Sequence, residues 1–194
     1  MDRISTHLVL LAVLCVSLVS QVSADPLKDA QNAYAAGNYA KALDLYTPLA
    51  KKGDAKAQLS LGTMYYIGQG VTQSYQEAAK LFERSAKQGN VLAQNILGEM
   101  YDQGLGVSQS YEEAAKWYRM AAEQGDAHGQ FNIGIMYARE LGLPQDYVLG
   151  YMWMSLSAKS SDELQRIAKE MTPEEIAKAK ELTAQCAANK FKKC

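Results

Sequence analysis

The sequence predicts an all-α protein in which antiparallel helix pairs stack into an α/α superhelix, the architecture of a solenoid. Three observations support this fold class. A 36-residue block occurs twice in succession, apolar residues inside each block recur at helical spacing, and glycines and N-cap residues stand at matching positions of both copies. Because a single helix pair cannot bury its apolar side, stacked neighbours must supply the core.

The duplicated blocks are residues 55–90 and residues 91–126. Nineteen of their 36 aligned positions are identical, against roughly two expected for unrelated sequences of ordinary composition. The register continues downstream through residues 127–161. It also extends upstream through residues 25–54, where the turn between the two helices is shorter. We therefore predict four consecutive helix pairs.

Residues 1–24, which precede the repeats, are typical of a secretory signal peptide. Arg3 gives a positive start, Leu8–Val19 form an apolar run, and Val22–Ala24 resemble a cleavage site. An uncleaved membrane anchor is the alternative, but the run is shorter than the ~20 apolar residues that span a bilayer. We expect cleavage before Asp25, no stable membrane insertion afterwards, and a periplasmic or secreted location.

Each repeat is predicted to form two helices separated by a glycine turn. In the first full block the leading helix runs from about Ala55 to Tyr66, and Gly68–Gly70 end it with residues that tolerate a positive φ. The second helices begin with a serine and a glutamate three residues later, the pattern of a capping box: Ser74 with Glu77, and Ser110 with Glu113.

A glycine stands in the middle of three first helices, at Gly62, Gly98 and Gly134. Within a helix, glycine costs about 1 kcal/mol relative to alanine. Its recurrence at one position predicts that another helix approaches closely there. Trp117 and Trp153 share a register with leucines of the earlier repeats, and we expect them to pack in the core rather than to stack on a ligand.

The pattern A-Q-x-x-L-G-x-M-Y-x-x-G-x-G-V-x-Q-S-Y-x-E-A-A occupies residues 57–79 and again residues 93–115. It resembles the Sel-one-like repeat, a longer-turned relative of the tetratricopeptide repeat. The resemblance covers about residues 29–159, and the unit at 25–54 is more similar to a tetratricopeptide repeat because its turn is short. It implies a bacterial exported protein of a type linked to envelope assembly, signalling control and host-cell contact.

Residues 162–194 resemble the closing helices that often follow such repeats in bacterial proteins. A short helix is expected over residues 162–171. A second helix follows, because Thr172 can cap it, Pro173 suits its first position, and Glu175 completes a capping box. Its narrow apolar stripe would pack on the last repeat: Ile176, Ala179, Leu182 and Thr183.

Signal cleavage would remove Cys15 and leave Cys186 and Cys194, an even pair suited to a disulfide in an oxidising compartment. An unbroken helix would hold residues eight apart at about 12 Å, beyond the ~7 Å Cα limit for a bridge. A disulfide therefore requires the helix to end near Asn189 and the tail to fold back. Two free thiols on a frayed tail are the alternative, and the sequence does not decide between them.

Charge and motifs argue against several classes of function. The formal net charge is −1, which gives no basic field for nucleic acid or for an acidic membrane surface. His128 would be the only histidine of the mature chain, and a lone histidine makes neither a zinc site nor a base–orienter pair. The sequence has no zinc-protease, phosphate-loop or G-x-S-x-G motif. We expect no catalysis, no metal, no cofactor and no small-molecule substrate.

Two alternatives to a simple binding scaffold stay open. Some secreted proteins with repeats of this kind are associated with β-lactamase or penicillin-binding activity, but no serine here has a lysine three residues later, and these repeats lack paired cysteines. A chaperone-like binder of unfolded export clients is the other alternative. It would favour a broad apolar groove.

Positions that differ between repeats are candidates for partner binding, because positions that must pack look alike from unit to unit. On each first helix they are spaced by three and four residues and share one helical face. By analogy with tetratricopeptide repeats, this face lines a concave groove. The candidate groove residues are Lys56, Leu59, Thr63, Tyr66, Leu92, Asn95, Glu99, Asp102, His128, Phe131, Ile135 and Ala138.

The predicted groove has apolar ends and an acidic centre, formed respectively by Leu59, Tyr66, Phe131 and Ile135, and by Glu99 and Asp102. We predict that it binds an extended or helical segment of a protein or peptide partner. That segment would have apolar anchors at both ends and a basic residue near its centre, since aromatic anchors carry much interface energy. Contacts along an edge or on the convex side are the alternative.

Overall fold

The computed structural model of the protein describes residues 25–158, 162–192 and 194. Within these ranges the chain forms ten α-helices and no β-strand, which confirms the all-α prediction. The helices are α1 (Pro26–Ala35), α2 (Tyr39–Lys51), α3 (Ala55–Ile67), α4 (Tyr75–Lys87), α5 (Val91–Gln103), α6 (Tyr111–Ala122), α7 (Ala127–Arg139), α8 (Tyr147–Leu156), α9 (Asp162–Glu170) and α10 (Pro173–Ala188). The predicted signal peptide, residues 1–24, lies outside the described residues.

The helices pack in the order in which the chain forms them. Helices α1 and α2, α3 and α4, α5 and α6, and α7 and α8 form four pairs, and the second helix of each of the first three pairs also contacts the first helix of the following pair. Helices α9 and α10 both pack against α8, so the C-terminal segment closes the last pair. This succession of neighbour contacts is the predicted solenoid.

The mid-helix glycines lie where the two helices of a pair approach each other. A Cβ at Gly62 would lie 2.9 Å from the Phe82 ring, and one at Gly98 would lie 2.7 Å from the Tyr118 ring. These separations are too short for a carbon–carbon contact, so only glycine fits. The predicted close approach is confirmed, and the approaching helix is the second helix of the same pair.

The second glycine of each turn serves a different contact. Gly106 has a φ of 71°, and a Cβ there would lie 2.3 Å from the carbonyl carbon of Tyr75, at the start of α4. Gly70 and Gly142 approach Tyr39 and Tyr111 in the same way. The turn of each repeat therefore rests on the first residue of the second helix in the preceding repeat, which fixes the relation between neighbouring units.

Buried glutamines add a polar connection between successive repeats. Gln58 donates from Nε2 to the carbonyl oxygen of Ala50 at 3.1 Å and accepts at Oε1 from Nε2 of Gln88 at 2.7 Å. Gln94 repeats both bonds in the next unit, with Ala86 and Gln124. A buried amide without hydrogen-bond partners destabilises the fold. A shift of one repeat against the next would break these bonds, so they favour a single register.

The serine-capped helices form half of the predicted capping box. Ser74 accepts from the backbone N–H of Glu77 at 3.3 Å. The reciprocal bond is absent from α4, because the Glu77 carboxylate pairs with Lys80 at 2.7 Å. The same correction applies to the box predicted at Ser110, whose Glu113 pairs with Lys116.

The capping box of α10 is complete, as predicted. Thr172 accepts from the backbone N–H of Glu175 at 3.2 Å, and Glu175 accepts from the backbone N–H of Thr172 at 2.8 Å. Lys178, one turn later, pairs with Glu181 at 3.0 Å. This leaves the Glu175 carboxylate available to reach back to the start of the helix.

The C-terminal tail folds back after α10. A disulfide joins Cys186 to Cys194, with their Cα atoms 5.4 Å apart. Helix α10 ends at Ala188, as a bridge between residues eight apart requires. The returning tail places the Phe191 ring 2.9 Å from the position of a Cβ on Gly125, so the disulfide holds an aromatic side chain against the turn between α6 and α7.

The predicted core positions are buried. Trp117 and Trp153 have 9% and 1% of their surface exposed, which confirms that both tryptophans pack. In α10, Ala179 is fully buried and the rest of its predicted stripe is partly buried. Helix α9 ends at Glu170, one residue before the predicted end, and the following Met171 is itself buried at 8% exposure.

Candidate functional site

The candidate site is the surface formed by the first helices of the repeats, α1, α3, α5 and α7, hereafter the first-helix surface. Ten of the twelve predicted groove residues are exposed or half-buried on it: Lys56, Leu59, Thr63, Tyr66, Leu92, Glu99, Asp102, His128, Phe131 and Ile135. These ten positions are therefore accessible, as the prediction requires, while partner binding at them stays a prediction.

Asn95 and Ala138 are buried, which corrects their assignment to the groove surface. Asn95 is 6% exposed, and its Nδ2 donates to Oδ1 of Asp126 at 2.7 Å. Ala138 is 1% exposed and packs with Met154 and Ile167. These positions vary between repeats because their packing partners vary, so variation alone did not distinguish surface from core.

An apolar hollow lies on the N-terminal side of the first-helix surface. It has a volume of about 130 Å³ and is lined by Tyr34, Tyr46, Leu59, Ser60, Thr63 and Leu92. Tyr34 lies in the first helix of the short-turned first unit, whose positions have no direct counterpart in the later repeats. Tyr46 lies in α2 in register with Phe82, a core position. Variation between repeats therefore selected neither residue. Helices α1 and α2 thus complete a hollow that α3 alone does not form.

An acidic cleft lies next to this hollow. Its volume is about 410 Å³, and its lining consists of Val91, Leu92, Asn95, Ile96, Glu99, Asp126 and His128. Leu92 belongs to both linings and is 57% exposed. Two recesses therefore adjoin each other at Leu92. The larger one combines aliphatic side chains with the carboxylates of Glu99 and Asp126.

The electrostatics of the cleft are set by Glu99. Burial raises the pKa of Glu99, the nearby His128 opposes that rise, and Asp102 adds to it. Tyr118, buried beneath, has its pKa raised by burial and by both carboxylates. Burial, Tyr75 and Glu99 likewise raise the pKa of Tyr66. The Tyr66 ring packs against the rings of Tyr75 and Phe82, with centroids 5.1 Å and 6.2 Å away. Its place at an apolar end of the groove stays a prediction.

The C-terminal end of the first-helix surface is partly covered. Phe131 and Ile135 pack against a buried cluster that includes Ile167, together with Leu164 of α9. Arg139 at the end of α7 donates from Nε to Oε1 of Glu163 at 2.8 Å and so fixes α9 in place. The apolar end predicted around Phe131 and Ile135 is thus shared with the closing helix.

The cleft combines aliphatic side chains with hydrogen-bonding groups. Asn95, Glu99 and Asp126 contribute amide and carboxylate oxygens, and no serine, threonine, cysteine or lysine belongs to its lining. Across the described ranges, no group of three or more His, Cys, Asp or Glu side chains is arranged to hold a metal ion. None of the described helices is both long enough and apolar enough to cross a membrane.

A family model of the Sel1 repeat matches four consecutive segments, residues 30–54, 55–90, 91–126 and 127–162. The chain belongs to the Sel1 repeat family. The resemblance inferred from the repeated pattern is thereby confirmed. Sel1 repeats are a type of scaffold for protein–protein interaction, and the family is generally non-catalytic.

Solved structures with Sel1 repeats share the fold. The protein is 30% identical to c5321, a protective antigen present in uropathogenic Escherichia coli strains that displays an SLR fold, with a TM-score of 0.66 over 78% of this chain and 34% of c5321. A Sel1 repeat protein from Oxalobacter formigenes is 24% identical, with a TM-score of 0.65 over 82% of this chain and 75% of its own. At this identity, the similarity to the Oxalobacter formigenes protein is evidence for a shared fold and for nothing further.

One curated relative shares a single repeat length. Over 37 residues the chain is 60% identical to the uncharacterized protein NMB1327 of Neisseria meningitidis serogroup B. The matched segment is 19% of this chain and 8% of that protein. The chain thus spans less than a tenth of NMB1327 and about a third of c5321.

Proposed function

We propose that this Sel1 repeat protein is an exported scaffold that binds a protein partner through its first-helix surface and catalyses no reaction. One observation carries the proposal: Leu92 is 57% exposed and lines both recesses of the first-helix surface. Single exposed apolar side chains are common on protein surfaces, so exposure alone does not mark a site. At Leu92 the side chain adjoins two recesses, which together offer a partner an apolar anchor and two hollows to pack into.

The shape of the surface defines the segment that it would receive. The apolar hollow beside Leu59 offers one apolar anchor site, and the acidic cleft lies directly next to it. Phe131 and Ile135 already pack with α9. The partner segment, which the sequence predicted to carry an apolar anchor at each end, is therefore proposed to carry only one. A chaperone-like role has less support, because the open surface is divided between apolar and acidic parts.

Export rests on the N-terminal segment and the disulfide. Arg3, the apolar run Leu8–Val19 and the small residues before Asp25 form a signal-peptide pattern. The Cys186–Cys194 bond suits an oxidising compartment. We propose a periplasmic or secreted location, which fractionation of producing cells and N-terminal sequencing test. A mature chain that retains Met1 in the cytoplasm would contradict it.

Partner capture with matched variants tests the binding surface. Purified protein immobilised on beads is incubated with envelope extract, and the captured proteins are quantified by mass spectrometry. Leu92→Gln is expected to reduce the specific partner by about tenfold or more, the loss typical of a central apolar anchor. Ile67→Gln is the control, since Ile67 is 46% exposed and lines neither recess.

The two substitutions have the same chemistry and both keep a good helix-forming residue. Equal melting temperatures for both variants establish that the fold is intact. If Leu92→Gln captures the same partner in the same amount as the unaltered protein, the first-helix surface is not the binding site, and the proposed function fails.

A further inference from the structure

A further hollow, hereafter the basic hollow, lies where α2, α3 and α4 meet. Its volume is about 160 Å³, and it shares no lining residue with the two recesses of the first-helix surface. Part of its wall is apolar and formed by Ala50, Leu61, Tyr65 and Leu81. Because a cavity of about 150 Å³ holds a molecule the size of benzene, the basic hollow has room for one apolar side chain.

Positive charge predominates around this hollow. Lys51, Lys80 and Arg84 line it, together with one carboxylate, that of Glu77. Glu77 pairs with Lys80 at 2.7 Å. Among the ion pairs of the described residues, none includes Lys51 or Arg84. Two cations without a carboxylate partner therefore stand beside an apolar recess.

In the next repeat, the position equivalent to Lys51 has a carboxylate partner. Lys87 lies 36 residues after Lys51, and it pairs at 2.6 Å with Glu83, one helical turn earlier. The residue 36 positions before Glu83 is Thr47, which has no charge and lines the basic hollow. The same lysine is therefore compensated in one repeat and left uncompensated in the other.

Arg84 also has no charged counterpart in the next repeat, where Met120 takes the equivalent position. A positive charge at the end of α4 does not require Arg84, because Lys87 lies in the last turn of the same helix. The excess of positive charge is thus a feature of the basic hollow and is absent from the equivalent positions one repeat later.

The charge and the apolar wall together favour an acidic peptide segment as the occupant. An arginine guanidinium binds a carboxylate through two parallel hydrogen bonds, and Lys51 supplies a second cation at the same hollow. Inorganic phosphate would leave the apolar wall uncovered, and a bilayer surface is too flat to enter a recess. A peptide with a carboxylate beside an apolar side chain complements both features.

We propose that the basic hollow is a second docking site, which binds an acidic segment of a partner protein. A carboxylate of the segment contacts Lys51 and Arg84, and a neighbouring apolar side chain enters the hollow against Leu61 and Leu81. The inference goes beyond the proposed function, because this site is separate from the first-helix surface. A scaffold with both sites holds two partner segments at once.

Defined peptides and nitrogen-15 NMR spectra of the purified protein test the site. The peptide acetyl-Glu-Leu-Glu-amide is titrated in parallel with acetyl-Gln-Leu-Gln-amide, which has nearly the same shape but no charge. We expect the acidic peptide to shift the backbone signals of Lys51, Leu81 and Arg84 and to bind about tenfold more tightly than the neutral peptide. Higher salt should weaken its binding, because the attraction is between charges.

A third peptide, acetyl-Glu-Ala-Glu-amide, measures the contribution of the apolar wall. It keeps both carboxylates and shortens the side chain that enters the hollow. We expect it to bind roughly fivefold less tightly than the leucine peptide, because it removes less apolar surface from water. Equal affinity of the alanine and leucine peptides would contradict the proposed seat of the apolar side chain.

Matched variants locate the charges. Thr47→Glu gives Lys51 the carboxylate partner that Glu83 gives Lys87, without removing any cation, and is expected to lower the affinity for the acidic peptide about tenfold. Arg84→Met should have a similar effect. Lys87→Met is the control, since it removes one positive charge from the same turn of α4 but outside the lining, and it should leave the affinity unchanged.

These variants are expected to fold. The added pair in Thr47→Glu places a glutamate four residues before a lysine, which is a favourable arrangement on a helix. Arg84 and Lys87 are both exposed, and methionine is a good helix former. Equal melting temperatures of the variants and the unaltered protein establish that a change in affinity does not come from unfolding.

Several results would overturn the inference. Equal affinity for the acidic and neutral peptides would show that charge is not recognised, and an unaltered affinity in either Thr47→Glu or Arg84→Met would place the peptide elsewhere. An equal loss in Lys87→Met would show non-specific attraction. If inorganic phosphate causes the same shifts and displaces the peptide, the hollow is a simple anion site. If vesicles of phosphatidylglycerol bind the protein and Arg84→Met abolishes that binding, it is a membrane contact.

The two docking sites can be tested separately. Leu92→Gln is expected to bind the acidic peptide with the affinity of the unaltered protein, because Leu92 does not line the basic hollow. A loss of peptide affinity in Leu92→Gln would place the acidic segment on the first-helix surface and overturn the inference. Failure of the peptide titrations would leave the partner-capture test of the first-helix surface unaffected.

Discussion

Asn95 in the first helix of one repeat donates a hydrogen bond to Asp126, the N-cap residue of the next first helix, across 2.7 Å. Asp126 also accepts the backbone N–H of Gly129 at 2.8 Å. One carboxylate therefore both caps α7 and ties α7 to α5. The bond forms the floor of the acidic cleft, and it couples the stability of two repeats to the geometry of the candidate site.

Removal of this bond is expected to lower the stability of the protein. Asn95→Ala should reduce the free energy of unfolding by about 1.5 kcal/mol, the low end of the range for a hydrogen bond to a charged partner. In an Asp126→Ala background the same substitution should have little further effect, because its partner is gone. Urea denaturation of both single variants and the double variant measures the coupling. Additive losses would show that the bond contributes nothing.

Glu140 occupies a position that favours glycine. Helices α3 and α5 end in the left-handed region at Gly68 and Gly104, whereas α7 ends at Glu140 with a φ of 57°. Residues with a Cβ adopt this region at a cost of about 1–2 kcal/mol. Glu140→Gly should therefore raise the free energy of unfolding by roughly 0.5–1 kcal/mol, while the reverse change, Gly104→Glu, should lower it by a similar or larger amount. A loss of stability in Glu140→Gly, measured by thermal melting, would contradict this account.

Acid is expected to weaken the attachment of α9. Hydrogen bonds from Arg166 and Arg139 lower the pKa of Glu163 to about 2, from an ordinary value of 4.5. Because the folded pKa lies below the unfolded one, the stabilisation is complete above pH 4.5 and is lost as the pH falls from there through about 2. Both arginines are about half exposed, so we expect a loss of only about 1–2 kcal/mol over that range.

Glu163→Gln should therefore be less stable than the unaltered protein at neutral pH and equally stable near pH 2. Glu181→Gln, which breaks the exposed pair with Lys178 on α10, controls for the loss of a negative charge and of an ordinary surface ion pair. Urea titrations at a series of pH values measure the difference. A constant difference between the unaltered protein and Glu163→Gln at every pH would exclude the ion pair as its source.

The disulfide is expected to hold the C-terminal tail. It closes a short loop between Cys186 and Cys194. Because the bond lowers the entropy of the unfolded chain, it is expected to stabilise the folded protein by about 2 kcal/mol. Replacement of both cysteines by serine should lower the free energy of unfolding by about that amount and should release Phe191 from Gly125. Hydrogen exchange at the turn between α6 and α7 would detect the release. Two alkylatable thiols in protein isolated without reductant would rule the bond out.

The repeat register was predictable because it depends on packing that recurs. Gly62 and Gly98 each face an aromatic ring of the same helix pair, and Gly134 faces Met154 of its own pair. The requirement for glycine therefore appears at the same position of the three later repeats. The burial of Trp153 followed from its alignment with leucines for the same reason. Contacts of this kind are repeated along the chain, and their repetition is visible in the sequence.

The surface was less predictable because it depends on elements that occur once. Ala138 is buried by α8 and α9, and the C-terminal closing helices have no counterpart at the earlier repeats. Tyr34 joins the apolar hollow from a first unit with a shorter turn. Asn95 varies between repeats yet is buried, since its partner is a cap residue of the next repeat rather than solvent. No comparison between repeats reveals such single contacts.

Site-specific photo-crosslinking tests the central claim most directly. A photoreactive phenylalanine analogue is placed at Leu92, between the two recesses, or at Met120, which is 40% exposed on the second helix α6. Irradiation of cells that produce each variant is followed by identification of the adducts. We predict a discrete adduct with one partner protein from position 92 and none from position 120. An adduct formed from position 120 and absent from position 92 would contradict the account.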